Sequence, residues 1–303
     1  MYDGFKVRLP PTMKDVLLKN KLLVFKSFYD NSTGEVEKYT FAHYSMGEDS
    51  NGKDSKFSFK IKGTYIELTG SLHKFMQNGT NYKEYHYMDV VQTLEKLNTL
   101  FQINPKQTIV HNLEFGLNIG LEGIKVSDIL NNCLMYGTKQ LSTEYYENNG
   151  LLKRAKLSQY EVKLYDKGTQ NHIGDHLLRV EKKVLCMEKL GTVTLNDLLN
   201  PTFVNTVSEQ LLTLWDNVLY YEEINDLKHV SKPLKEIYKR FNTNNYLSDL
   251  AKNNYRKLKH ERSMYKELIK QHCSNSIHQQ ISESMLDKLI HFEADALKNY
   301  VPK

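Results

Sequence analysis

Strand phase singles out one grouping of chemically able side chains in this sequence. Residues 160–165 set Val162 and Leu164 against Glu161, Lys163 and Tyr165. Residues 177–184 set Leu178, Val180, Lys182 and Val184 against Leu177, Arg179, Glu181 and Lys183. In residues 108–119, Ile109, His111, Leu113, Phe115, Leu117 and Ile119 fall opposite Val110, Asn112, Glu114, Gly116 and Asn118. Residues 64–69 place Tyr65 and Glu67 opposite Ile66 and Leu68. With every apolar face turned to a core, one open face gathers Glu67, Glu114, Glu161, Tyr165, Arg179 and Glu181, with Lys163 and Lys183. Carboxylates are hard oxygen ligands suited to Mg2+ or Mn2+. A metal held there could polarise a phosphoryl oxygen for attack by a tyrosine hydroxyl. Charges paired across strands on a solvated sheet give the same pattern without any chemistry.

Other catalytic patterns are missing. The eleven histidines form no His-x-His or His-Glu-x-x-His, and no Ser-His-Asp order emerges. His111, on an apolar strand face, reads as a core histidine. The turn at residues 78–81, Asn-Gly-Thr-Asn, suits either a plain turn or a phosphate cradle of backbone N–H groups. There is no GxGxxG and no Walker motif.

The elements that would carry these residues alternate in character up to about residue 190 and read almost wholly helical beyond it. Residues 57–62 alternate strictly and residues 64–69 continue after Gly63, predicting a hairpin or adjacent strands. A helix is expected from Asp89, with Gln92 completing a capping box and Val90, Leu94, Leu97 and Phe101 forming its stripe; Asn104-Pro105 ends it. A second short helix starts near Ser127 and ends by Gly137. The expectation is an α+β fold, an antiparallel or mixed central sheet with helices on one face, followed by a helical C-terminal region. The division falls into 1–190 and 191–303, and Lys232-Pro233 is the expected hinge.

Composition excludes several classes. The chain has 303 residues, 40% hydrophobic and 25% charged, with a net charge of +5. It holds no run near the roughly 20 apolar residues of a spanning helix. The first residues lack a signal-peptide segment, and three separated cysteines disfavour a disulfide scaffold or a cysteine zinc site, so a cytoplasmic setting is expected. Between residues 228 and 270 there are twelve Lys or Arg and four acids. The basic surplus therefore belongs to one segment, interleaved with Tyr238, Phe241, Tyr246, Tyr255 and Tyr265. That is either a solvated helix face or a phosphate-binding footprint.

Six segments, in order, resemble the replication initiators of filamentous phages, the gene II protein family of rolling-circle endonucleases. Residues 1–10 resemble its first strand with Val-Arg-Leu-Pro, and residues 66–81 its strand and following turn. His111-Asn-Leu-Glu-Phe115 falls where the family has an Arg-Ile-Asp strand. Val162-Lys-Leu-Tyr-Asp-Lys167 resembles the strand bearing the nucleophilic tyrosine. Leu178-Arg-Val-Glu-Lys-Lys183 is similar to its Leu-Val-Arg-Phe-Glu strand, and residues 264–273 to its C-terminal helix. The resemblance implies a Rep-type (HUH-like) nicking domain with Tyr165 as nucleophile. It makes Glu114 and Glu181 candidate metal ligands and Lys167 and Arg179 phosphate-stabilising groups; strand phase adds Glu67 as a further candidate ligand. Three departures stand out: Glu114 replaces an aspartate, His111-Asn112 replaces an arginine-bearing stretch, and the turn at 78–81 lacks the family's histidine.

The expected function is thus initiation of rolling-circle replication in a phage or plasmid, by metal-assisted nicking of single-stranded or hairpin origin DNA. Tyr165 would form a 5′-phosphotyrosyl bond, and host helicase and polymerase would use the free 3′-OH. Lys74, Lys252, Arg256, Lys257, Lys259 and Arg262 are the expected DNA contacts. Tyr145, Tyr146 and Tyr160 stay open as alternative nucleophiles, and a non-catalytic DNA-binding regulator is the alternative function.

Overall fold

The structure is a computed structural model and describes residues 1–29, 32, 36–146, 150–174, 176–224, 226–243 and 245–301. Its strands are β1 (Tyr2–Leu9), β2 (Lys26–Tyr29), β3 (Val36–Glu48), β4 (Asp54–Lys62), β5 (Tyr65–Ser71), β6 (Ile109–Gly120), β7 (Cys133–Tyr136), β8 (Lys139–Gln140), β9 (Ser142–Tyr145), β10 (Leu151–Lys156), β11 (Tyr160–Asp166), β12 (Leu177–Val184) and β13 (Val218–Tyr220). Its helices are α1 (Met13–Leu18), α2 (Leu72–Met76), α3 (Tyr87–Phe101), α4 (Val126–Asn132), α5 (Lys167–Gln170), α6 (Pro201–Asp216), α7 (Lys232–Phe241), α8 (Tyr246–Asn253), α9 (Tyr255–His272) and α10 (Ile277–Asn299).

Ten strands pair in the order β2-β3-β4-β5-β1-β6-β12-β11-β10-β9, all antiparallel, and β13, β7 and β8 make a small second sheet. The α+β expectation is met, and β4 and β5 form the expected hairpin around Gly63. The apolar sheet face lies under α3, α4, α6 and α10. Phe57 and Phe59 of β4, Val162 and Leu164 of β11, and Leu178 and Val180 of β12 all point into this core. Apart from Leu177 beside Leu178, their neighbours on the other face are polar residues or Tyr165, as period-2 alternation requires.

Three details depart from the sequence reading, the simplest being that the second helix stops at Asn132 and Cys133–Tyr136 form β7. Helix α3 starts two residues before Asp89, which sits at its third position; its carboxylate accepts the His86 backbone N–H at 2.7 Å, closing the capping box from the other end. In β6 the register against β1 runs from Lys6↔Asn112 to Val7↔Val110, so His111 has no opposite residue. This bulge reverses the phase of the strand's start. Val110 is buried, whereas Ile109 and His111 are exposed, and His111 is therefore not a core histidine.

The helical half does not pack as one block. Leu195, Leu198, Val204, Leu211 and Trp215, together with Ile281, Met285, Leu289 and Phe292 of α10, share the core of the large sheet. A second core joins Leu219, Ile237, Phe241, Leu247, Leu258, Tyr265 and Leu268, built by α7, α8 and α9. The two hydrophobic clusters therefore part near residues 217 and 276. Lys232-Pro233 forms the first turn of α7, where proline's missing N–H is harmless. Among the described residues no helix is long and apolar enough to cross a membrane.

Candidate active site

The polar face of the central strands sinks into a cleft of about 350 Å³. Its walls come from β1, β5, β6, β11 and β12, from α2 and α5, and from the loops after β3, α2 and β9. Tyr165, Lys163, Glu114, Glu181, Lys167 and Lys74 all line it. Pairing explains the convergence: Tyr165 lies opposite Arg179, Lys163 opposite Glu181, and Arg179 opposite Asn118. Side chains on paired positions share a face, so three strands project one set of charges into one space.

Glu181, only 2% exposed, is the hub. Its Oε2 accepts the Tyr165 hydroxyl at 3.2 Å and Arg179 Nε at 3.3 Å, and its Oε1 accepts Lys163 Nζ at 2.8 Å. Burial pushes this carboxyl up, but the Lys163 and Arg179 cations more than offset it and the net direction is downward. Burial, then the Glu181 charge, holds the Tyr165 hydroxyl well above the ordinary tyrosine range, with Arg179 opposing. Lys163 Nζ also lies 3.6 Å from Glu114 Oε2, while Lys183 Nζ lies 2.6 Å from Glu114 Oε1. Burial and the neighbouring Glu181 raise the Glu114 carboxyl against both lysines.

A second group closes the cleft behind Tyr165. Arg179 Nη2 reaches Asp3 Oδ2 at 3.4 Å and its Nη1 reaches Asn118 Oδ1 at 3.1 Å. Asp3 also accepts the Ser71 hydroxyl and, at 2.7 Å, Asn81 Nδ2. Asn81 Oδ1 in turn accepts Lys167 Nζ at 2.6 Å, and Gln170 Oε1 accepts it at 3.0 Å. Lys167 is 2% exposed; burial pushes its ammonium down to about 8, with Asp3 opposing.

Local backbone geometry sets two of these positions. In β1 the register passes from Tyr2↔Phe115 to Phe5↔Leu113, which inserts one extra residue and turns both Asp3 and Gly4 to the polar side. A Cβ on Gly4 would stand 2.8 Å from the Glu114 carboxyl, so glycine leaves that carboxylate its place. The turn before Asn81 has Gly79 at φ +102°, and a Cβ there would meet the Gly47 and Glu48 backbone at 2.5–2.7 Å. Glycine alone permits both that conformation and that contact. The turn thus serves to aim Asn81 at Asp3 and Lys167.

The remaining sequence candidates fall elsewhere. The Glu67 carboxylate lies outside the cleft, 2.8 Å from Lys6 Nζ and 2.8 Å from the Tyr65 hydroxyl. Glu161 pairs across the strands with Lys183 and Lys156, away from the cleft walls. Lys74 stands on the cleft wall, 3.1 Å from the Ser55 hydroxyl and 3.6 Å from Asp49. Lys252, Arg256, Lys257 and Lys259 are exposed on α8 and α9. Arg262 is half-buried, and its Nη2 donates to the Asn217 carbonyl at 3.3 Å, at the C-terminus of α6. Of the alternative tyrosines, Tyr145 is exposed outside the cleft and Tyr160 bonds the Tyr136 hydroxyl at 3.2 Å. Tyr146 does line the cleft, its ring 5.4 Å from that of Tyr165.

Magnesium or manganese was expected on Glu114, Glu181 and Glu67. The structure separates Glu67 from the other two and places the Lys163 ammonium between Glu114 and Glu181. Among the described residues no three His, Cys, Asp or Glu side chains gather in a way that could hold a metal ion. Divalent cations of this kind need about six oxygens, so this arrangement does not fit one. Asp3 and Ser71 are not anticipated by the sequence reading, and Asn81 enters it only as the end of the 78–81 turn, not through its side chain. The signal for Asp3 was the Tyr2-Asp-Gly-Phe5 break in alternation, two polar-side residues between two core aromatics.

Fold and site together define an α+β protein with a buried tyrosine–carboxylate–cation cluster on the polar face of an antiparallel sheet. No family model and no curated protein matches the sequence. Among solved structures, the chain is similar to the rolling circle replication initiator protein from Geobacillus stearothermophilus. The TM-score is 0.42 at 10% identity, over 84% of this chain and 95% of that one.

Proposed function

We propose that this protein is a rolling-circle replication initiator that nicks DNA by tyrosine attack on a phosphodiester. The observation that carries the reading is the convergence of the Tyr165 hydroxyl, Glu181, Lys163 and Lys167 on one cleft, with Arg179 bonded to Glu181 behind it. Tyr165 Oη bonds to phosphorus as its proton passes to Glu181, and the bond from phosphorus to the 3′-oxygen breaks. Lys167, with an ammonium near neutrality in strength, protonates the leaving 3′-oxygen. Arg179 and Lys163 supply the positive charge that the crowded phosphorane requires. The products are a 5′-phosphotyrosyl bond and a 3′-OH from which a host polymerase can extend, with a host helicase opening the duplex. The exposed cations of α8 and α9 are proposed to grip origin DNA, with salt-sensitive affinity.

No step is routed through a metal, because Lys163 fills the gap between the two carboxylates. The test is a covalent-adduct assay on a randomised library of single-stranded DNA hairpins. The intact protein is expected to give a denaturant-resistant adduct that Tyr165→Phe abolishes. An adduct that persists in Tyr165→Phe moves the nucleophile to Tyr146, and no adduct from either protein removes the nuclease reading.

A further inference from the structure

The sheet extends beyond the cleft through β5, β4, β3 and β2, and its polar face there is patterned in rows. Lys26 pairs with Phe41, Phe41 with Lys60, Lys60 with Glu67, and Glu67 with Arg8. One row therefore runs cation, ring, cation, carboxylate, cation across five strands. The helices α3, α4, α6 and α10 all lie against the opposite face.

Rings and cations on this surface are already in register with each other. Tyr39, Phe41 and His43 stand at successive outward positions of β3, with centroids 6.0 and 5.4 Å apart. Lys60 Nζ lies 4.0 Å from the Tyr39 centroid, and the Arg8 guanidinium 5.2 Å from that of Tyr65. The Glu67 charge is matched by Lys6 at 2.8 Å. Among the described residues Lys26, Lys56, Lys60, Lys62 and Arg8, against Asp54, then leave the face with a surplus of positive charge.

We propose that this face is a stacking platform for single-stranded DNA that leads into the Tyr165 cleft. Unpaired bases offer their faces to Phe41, Tyr39 and Tyr65, while the phosphates follow the lysines. Duplex DNA hides those base faces and gains only the charge. Five strands at about 4.8 Å spacing span roughly 19 Å, room for three or four nucleotides. The platform meets the cleft at β1, where Lys6 lies two residues, about 7 Å, from Gly4 beside Glu114. The inference rests on the nicking reading only for where the strand leads; binding is measured without cleavage.

The experiment is fluorescence anisotropy with a fluorescein-labelled 20-nucleotide oligo(dT), using the full chain and a Phe41→Ala/Tyr65→Ala variant. The variant is expected to bind roughly 10- to 100-fold more weakly. Affinity within twofold of the parent, or equal competition by a duplex of the same length, overturns the platform. A second measurement needs no variant: an oligonucleotide carrying 5-iodouracil is photocrosslinked to the parent protein. Crosslinks are expected at residues 39–43 and 65, and crosslinks confined to 252–262 overturn the proposal. Oligo(dT) binding that weakens in the variant, without any Tyr165 adduct in the parent, sustains the platform and sinks the nicking. An adduct alongside unchanged binding does the reverse.

Discussion

Lys163 Nζ stands 2.8 Å from Glu181 Oε1, and the same ammonium lies 3.6 Å from Glu114. A lysine thus holds together two carboxylates that would otherwise repel one another in a largely buried site. Both carboxylates lift the Lys163 ammonium above the ordinary lysine range, against the effect of burial. The charge in the gap is fixed over any ordinary pH.

Removal of that charge gives the first prediction. Adduct formation by the parent protein should survive excess EDTA, because Mg2+ or Mn2+ would have to displace Lys163. Lys163→Ala should lose activity by about 100-fold or more, as for other preorganised charge stabilisers. It should also acquire Mn2+ binding, visible as loss of the free Mn2+ electron paramagnetic resonance signal. Abolition of the parent's activity by EDTA would falsify the lysine assignment.

Lys167 predicts a pH profile. Its ammonium titrates at about 8, and the leaving oxygen needs the protonated form. The cleavage rate should therefore fall as pH rises through about 8, and Lys167→Arg should remove that limb. Stability should move the other way. The unfolded lysine holds its proton to about 10.4, so between about 8 and 10.4 the unfolded state binds more protons and stability rises with pH. A cleavage rate flat from pH 7 to 9 would contradict the role in leaving-group protonation.

Asn81 makes a positional prediction. Asn81→Ala leaves a buried Asp3 and a buried Lys167 each short of a partner, at a cost of about 1–3 kcal/mol. The rate should drop, and its pH dependence should shift because Lys167 loses a ligand for its charged form. Asn81→Asp should keep Lys167 charged to higher pH while setting a carboxylate against Asp3. Thermal melts and pH–rate profiles of both variants check this; identical profiles would remove Asn81 from the site.

Arg262 and Lys259 separate two roles within one basic helix. Lys259→Ala, at an exposed position, should weaken DNA binding and lower the slope of log affinity against log salt by about 1, with unchanged melting. Arg262→Ala should instead lower the melting temperature, because its guanidinium bonds the Asn217 carbonyl at the end of α6. A salt slope altered equally by both would remove the distinction.

Much of this was legible in the sequence. Strand phase correctly placed Tyr165, Glu181, Glu114 and Arg179 on one side, because alternation in β11 and β12 is uninterrupted. It failed for His111 and missed Asp3, since a bulge changes which face a residue occupies without changing its identity. It gathered Glu67 into the site because phase gives a face and not a distance. Strands β9 and β10 and the small sheet passed unnoticed, being short and only partly alternating. The packing of α10 on the large sheet depends on contacts nearly 300 residues apart, which no local pattern encodes.

That last contact has a consequence for how the chain comes to exist. Phe292 of α10 lies 6.2 Å, centroid to centroid, from Tyr2 of the first strand. During synthesis α3, α4 and α6 can cover their parts of the apolar sheet face early, but the part under α10 stays open until residues 277–299 have left the ribosome. That strip, over β6, is exposed to self-association for the whole interval in which α7, α8 and α9 are being made. Ribosome-bound chains ending near residue 276 should accordingly depend on chaperones more than chains that include α10.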